Sequence, residues 1–285
     1  MPGTDDYKKW IGKSEVATQR AELWPVCGLY AVLDRAPPPK IGELLPPCGH
    51  WLYFTPMVGQ SKIGFDGHPE RGDFLPPIAE PRRMWAASDV TFHAPVRLGD
   101  DLEKSARIAD VSLKEGASGA LIFVTVENEY RVAGTLALSE KQSLVYRDHP
   151  KPDEAPPPPK AAPAGPEWSK KFEPDPVMLF RYSAITFNGH RIHYDHPYVT
   201  GEEGYPDIIV QGQLIATLLL DTFAAENPDI EIRWFSFRAM KPLFSGEPFF
   251  AEGASNDAGG FDLWARNGER HLTLSAKLEV RRPGT

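Results

Sequence analysis

Residues 179–223 read LFRYSAITFNGHRIHYDHPYVTGEEGYPDIIVQGQLIATLLLDTF, and their interpretation decides how the remaining residues are arranged. From Gln213 to Phe223 the polar side chains besides Gln213 are Thr217, Asp221 and Thr222, so the apolar surface spreads well beyond one stripe. A helix of that kind is buried on most sides and needs something to envelop it. It stops at Glu226-Asn227-Pro228, where proline cannot continue the hydrogen bonding. At its start Gly212 can expose a backbone N–H at the positive end of the helix dipole, which suits an oxygen that gains negative charge.

Upstream, Asn188, His190 and His193 fall within six residues. Imidazole titrates near neutral pH, which makes His193 the natural acid/base of the segment. The Asn188 amide can orient a water or a substrate oxygen but is no useful proton acceptor, and His190 could do either job. The plainer reading is that these histidines, beside Tyr and Asp, satisfy hydrogen bonds on a strand-to-helix loop.

The frame around this segment reads as sheet. From Trp85 to His93, Leu102 to Ser112, Ala120 to Arg131 and Gly134 to Arg147 run segments rich in Val, Ile, Leu, Phe and Thr, separated by glycine-containing turns, as in an antiparallel meander. After the helix, strands are expected over Glu231–Phe237, Phe249–Ala254, Gly260–Ala265 and His271–Val280, with Asn267-Gly268 as a hairpin signal. Leu272, Leu274, Ala276, Leu278 and Val280 alternate with outward polar residues, as a sheet with one buried face demands. Ser14 to Asp34 is expected to be helical on either side of Pro25, and the proline- and glycine-rich residues up to Pro81 irregular, with Phe65-Asp66-Gly67-His68-Pro69 as a turn.

The two halves repeat. Val90 to Leu102 (VTFHAPVRLGDDL) recurs as Phe235 to Phe249 (FSFRAMKPLFSGEPF), with Pro95, Gly99 and Asp100 matching Pro242, Gly246 and Glu247. Laying Ala31–Asp34 on Ile185–Asn188 puts Pro39 where His193 stands, so the first half lacks the histidine and serves as a wall for substrate or for its partner half. Between them His149 to Pro166 (HPKPDEAPPPPKAAPAGP) reads as an extended polyproline linker, a proline-rich protein ligand being the sharper alternative. The expected organisation is a degenerate first domain over 1–147, a linker over 148–166 and a catalytic domain over 167–285.

With 285 residues, 25% charged and 41% hydrophobic, the chain has the composition of a soluble globular protein, and a formal net charge of −8 without a long basic stretch argues against nucleic-acid binding. Cys27 and Cys48 form no CxxC or zinc pattern, so neither a disulfide framework nor a metal site is indicated. The start MPGTDDYKKW has no apolar h-region and no apolar run approaches the ~20 residues that cross a bilayer, so a cytoplasmic location off the membrane is expected.

A helix wrapped by antiparallel sheet, with F-x-x-P-x-x-x-G-D at a strand-to-strand turn, resembles the hot-dog fold of MaoC-like (R)-specific enoyl-CoA hydratases and hydroxyacyl-thioester dehydratases. The family's signature is an Asp, a His five positions later and a glycine some eighteen or nineteen beyond; here Asn188, His193 and Gly212 hold those positions. The resemblance covers nearly the full chain and implies an α+β double hot dog, each antiparallel sheet wrapped around a central helix. Its FNGHRIHYD form is similar to a subgroup that includes mesaconyl-C4-CoA and itaconyl-CoA hydratases.

The resemblance implies a hydro-lyase acting on an acyl-CoA thioester, with no cofactor beyond the CoA of the substrate. His193 takes the role of the catalytic histidine and Gly212 that of the glycine whose N–H binds the thioester oxygen. Asn188 departs from the family carboxylate, so His193 works alone with Asn188 fixing the water, or His190 or Asp195 supplies the second group. His190, Tyr194 and Gln211 are candidate substrate contacts, and Arg181, Arg191 and Arg238 are candidates for pairing with a dicarboxylyl substrate, although each also reads as an ordinary surface arginine. The rivals are dehydration of 3-hydroxyacyl-ACP in fatty-acid synthesis, a thioesterase, and a catalytically inactive binding subunit. One pseudo-dimer per chain can stand alone or pair further as a homo-oligomer.

Overall fold

The computed structural model describes residues 4–116, 119–149 and 158–281. The first half contributes β1 (Ser14–Arg20), β2 (Arg82–Phe92), β3 (Asp101–Gly116), β4 (Gly119–Val132) and β5 (Thr135–Arg147); the second contributes β6 (Trp168–Phe172), β7 (Glu231–Ala239), β8 (Phe249–Ser255), β9 (Phe261–Asn267) and β10 (Leu272–Arg281). They form one ten-stranded sheet in the order β1-β3-β4-β5-β2-β7-β10-β9-β8-β6. Either side of the β2–β7 joint the order runs the same way outward. At that joint Val90 pairs with Phe235 and Ala87 with Arg238, antiparallel, so the strands opening the two repeats are neighbours across the middle.

The repeated turn shows why its residues recur. Gly99 and Gly246 sit at φ 98° and 77°, which only glycine takes without strain, and the acidic residue after each accepts a backbone bond, from Arg97 N to Asp100 Oδ2 at 2.8 Å and from Phe244 N to Glu247 Oε2 at 3.4 Å.

Among the described residues five α-helices complete the fold: α1 (Thr4–Lys8), α2 (Leu23–Val32), α3 (Pro176–Ile185), α4 (His196–Gly201) and α5 (Gly212–Glu226). α5 is the apolar helix expected from the sequence, unbroken in burial from Leu214 to Phe223 and packed against β8, β9 and β10. α2 and α3 pack on each other so closely that a Cβ on Gly28 would stand 2.6 Å from Ile185 Cγ2.

Several expectations need correcting. The double hot dog is there, but among the described residues only the second half of the sheet cradles a long central helix. Leu45 N bonds Val96 O as Val210 N bonds Leu243 O, yet after Leu45 come Pro46 and Pro47 and a 3-10 turn over Gly49–Leu52, where after Val210 comes α5. Ser14–Arg20 is an edge strand paired with β3, not helix. The halves align one residue from the expected register: α2 and α3 each end with a left-handed residue, Asp34 (φ 54°) and Phe187 (φ 47°), followed by matching bonds from Arg35 N to Tyr30 O and from Asn188 N to Ser183 O. Arg35 therefore corresponds to Asn188, and Lys40, not Pro39, to His193. The Asn267 hairpin is longer than a two-residue turn, with Arg270 as its left-handed residue and the Asn267 side chain accepting from Glu269 N and His271 N. Of the linker expected over 148–166, residues 150–157 lie outside the described residues, and Lys160 and Ala162 are bonded to Leu272 and Arg270.

Candidate active site

The site is assembled where α3, the loop after it and the start of α5 meet. Asp175 caps α3 by accepting from Met178 N at 2.7 Å, with Pro176 at the first helical position. The left-handed Phe187 then turns the chain, and Asn188 Oδ1 accepts from His190 N at 3.1 Å, an Asx turn that sets the course of the next residues. A 3-10 turn over Arg191–His193 follows. Ile209 N bonds Ile192 O at 2.9 Å, stitching this loop to the residues that lead into α5. Gln211 precedes α5 and donates through Nε2 to Leu179 O at 3.0 Å and Ser183 Oγ at 2.9 Å, fixing α5 against α3.

His193 is buried, and its Nδ1 lies 2.7 Å from Ile209 O. A carbonyl only accepts, so Nδ1 carries the proton and Nε2 keeps its lone pair. Burial pushes the imidazole pKa down to about 4, against a smaller upward pull from the Ile209 carbonyl. The ring is thus neutral at neutral pH and able to accept a proton. It is anchored three residues before Gly212, at the N-terminal end of α5, where no side chain caps the helix and the space beside Gly212 is open. A base and free helical N–H groups thus share one end of the central helix, the arrangement that proton abstraction beside a developing oxyanion needs.

Other sequence candidates are engaged differently. Asn188 has its side-chain oxygen committed to the His190 N–H. Arg181 donates to Ala31 O at 3.0 Å, joining α3 to α2. Arg191 pairs with Asp195, lies over the Tyr198 ring and donates to Phe65 O at 3.0 Å, and Asp195 also caps α4, so both are structural clamps. The Tyr194 hydroxyl donates to Gly189 O at 3.1 Å and its ring is exposed. Arg238 is the clearest correction: it alternates with the buried Phe237 on β7 and therefore projects from the sheet face opposite α5.

His68, expected only as part of a turn, comes to the same cluster. The Phe65–His68 segment of the first half docks on the Asn188–Arg191 loop, with Arg191 N bonded to Asp66 O at 2.9 Å. Backbones approach so closely that a Cβ on Gly67 would overlap the Gly189 carbonyl. The His68 ring comes to 4.3 Å from that of His190, which stands 5.5 Å from His193 edge to face. Although three imidazoles are neighbours, no group of His, Cys, Asp or Glu among the described residues is arranged to hold a metal ion.

An antiparallel sheet unit that is duplicated and joined strand to strand, with a central helix kept in the second copy and a histidine tied to the start of that helix, defines a double hot-dog protein of the MaoC-like kind. Solved structures agree in fold: HtdX of Mycobacterium tuberculosis superposes with a TM-score of 0.66 at 22% identity over 95% of this chain and 100% of that one, and a MaoC-like dehydratase from Phytophthora capsici with 0.69 at 13% over 99% of both. A conserved M. tuberculosis protein with a double hot-dog fold gives 0.61 at 12% over 98% of both.

Residues 48–245 match the model of hydroxyacyl-thioester dehydratase type 2. The chain is 40% identical over 278 residues to the mesaconyl-C(4)-CoA hydratase of Chloroflexus aurantiacus, covering 96% of this chain and 98% of the relative. It is 28% identical to the mitochondrial hydroxyacyl-thioester dehydratase type 2 of Schizosaccharomyces pombe over 72% and 76%. The chain belongs to the hydroxyacyl-thioester dehydratase type 2 family, and with it to the hydro-lyases that add or remove water at acyl thioesters.

Proposed function

We propose that this protein catalyses the reversible hydration of a short, branched dicarboxylyl-CoA of the mesaconyl-C4-CoA or itaconyl-CoA type. The observation that carries the chemistry is the His193 tautomer, with Nδ1 spent on Ile209 and Nε2 left basic; the substrate class rests on the 40% identity to a mesaconyl-C(4)-CoA hydratase along nearly all of both chains. In the forward direction Nε2 takes a proton from water as its oxygen bonds to the β-carbon. Charge gathers on the thioester oxygen, which the Gly212 N–H and the positive end of α5 stabilise. The imidazolium then returns the proton to the α-carbon, so one water is consumed and the ring ends neutral. His193 thereby serves as base and acid in turn, and the carboxylate missing at position 188 is not required.

The reverse reaction at the same site, dehydration of a 3-hydroxyacyl chain on CoA or on acyl carrier protein, is the second reading, favoured by the dehydratase names of the family model and of the yeast relatives. No helix among the described residues is long and apolar enough to cross a membrane. The test is to incubate the purified protein with crotonyl-, mesaconyl-C4- and itaconyl-CoA and follow loss of the conjugated thioester absorbance, with free thiol measured alongside. Hydration of the dicarboxylyl thioesters without CoA release is expected; turnover of 3-hydroxyacyl-ACP alone would favour the second reading, and thiol release would sink both.

A further inference from the structure

We propose that His68, delivered by the first unit, forms with His190 the subsite that receives the free carboxylate of a dicarboxylyl thioester. The proposal rests on the hydratase reading for its substrate and on the geometry of the two rings for its location.

His50 bonds Glu140 at 3.3 Å through one ring nitrogen and His193 bonds Ile209 at 2.7 Å, whereas among the described residues the rings of His68 and His190 meet each other and make no side-chain hydrogen bond. His190 is more than nine-tenths buried. Ring nitrogens that no protein group engages are free to meet a ligand.

The surroundings favour an anion. The cationic groups facing His68 and His190 are Arg83 from β2 and Arg71 from the same loop as His68, with the neutral His193 ring beside them. Both imidazoles are held well below the ordinary histidine range, by burial first and then by these neighbours. The Asp66 carboxylate in the same turn accepts from the His68 backbone N–H and stands 3.7 Å from Arg71. Arg71 also donates to the carbonyls of Ile78, Glu80 and Pro81. Arg83 meets no carboxylate among the described residues, so the local balance is positive.

The distance to the base also fits. In a mesaconyl-C4 thioester the free carboxylate is attached to the β-carbon, the atom that receives water. A carboxylate one bond from the reacting centre must therefore lie close to the group that activates that water, and the His190 ring is 5.5 Å from His193 with His68 behind it. On binding, the carboxylate draws a proton from solvent onto the imidazole pair, because an adjacent anion favours the charged form. The docking of Phe65–His68 through Gly67, Gly189 and Arg191 is what holds His68 in place.

Succinyl-CoA and butyryl-CoA, which share the CoA moiety and cannot be hydrated, are the probes, with affinity measured by titration calorimetry. The wild-type protein should prefer succinyl-CoA, and the preference should grow from about pH 8 to about pH 6 as proton uptake becomes easier. His68→Ala should weaken succinyl-CoA about tenfold and leave butyryl-CoA within about twofold. His68→Gln serves if the alanine variant does not fold, and the wild-type pH dependence needs no variant. No preference in the wild type, a preference indifferent to pH, or equal losses on both thioesters in the variants would overturn the assignment. If crotonyl-CoA is hydrated but succinyl-CoA is not preferred, the subsite falls and the hydratase stands; if nothing is hydrated but the preference depends on His68, the reverse holds.

Discussion

Burial keeps His193 neutral, and neutrality is what the proposed chemistry needs. Unfolding exposes the ring, whose ordinary pKa is near 6.5, whereas in the fold it is held at about 4. Above the upper value neither state binds the proton; between the two, the unfolded chain binds it and the folded chain does not. Stability therefore falls as pH drops from about 6.5 to about 4, by roughly 3 kcal/mol from this ring alone at about 1.4 kcal/mol per tenfold change. Urea unfolding at about pH 7 and about pH 5 should show the loss, and His193→Gln should reduce it; an unchanged difference would refute the linkage. The same variant should abolish turnover, lowering kcat by a factor of about a hundred or more, since it removes the imidazole proposed to take the proton from water. Gly212 offers a complementary test. It has open space beside it and no left-handed φ, so Gly212→Ala should leave the melting temperature unchanged while lowering kcat/KM by its intrusion beside the thioester; a variant as active as wild type would remove Gly212 from the oxyanion role.

Among the elements, α5 carries the greatest share of the core, and its side chains have little room to relax. Leu218→Ala, 1% exposed in the middle of the helix, should cost about 2–5 kcal/mol in equilibrium unfolding. The strands and this helix were legible because alternation and an all-round apolar run leave few alternatives. β1 was not, since SEVATQR is an edge strand with almost every side chain in water and no buried face to impose a pattern. The candidate site was legible in part for a related reason. His193 and Gly212 lie within one segment of the sequence, whereas His68 meets His190 only through a tertiary contact between distant segments. A turn-forming Phe-Asp-Gly-His-Pro gives no sign of what it will pack against, although Gly67, at φ 87° with no room for a Cβ, was the residue to question. Arg238 failed for a simpler cause: strand alternation beside Phe237 already assigned it to the outer face.

At the scale of the whole molecule the halves are bound by more than their linker. Arg82 on β2 reaches Glu203, beyond α4, at 2.8 Å with both side chains buried, and Arg35 after α2 pairs with Asp221 inside α5. Removing one member of a buried pair strands the other, so Glu203→Gln should destabilise the protein by about 3–5 kcal/mol. Thermal unfolding should stay a single transition if the continuous sheet unfolds as one unit; two separate transitions would show that the halves fold independently.

The Val90–Phe235 pairing has a further meaning for how such a molecule can change over generations. A protein made of two identical copies meeting about a dyad inherits every substitution twice, so an alteration that helps one cavity is repeated in its mirror image. Once the copies are written into a single chain that constraint is gone. One copy can give up its helix and lend a histidine to its neighbour, while the other keeps the machinery intact.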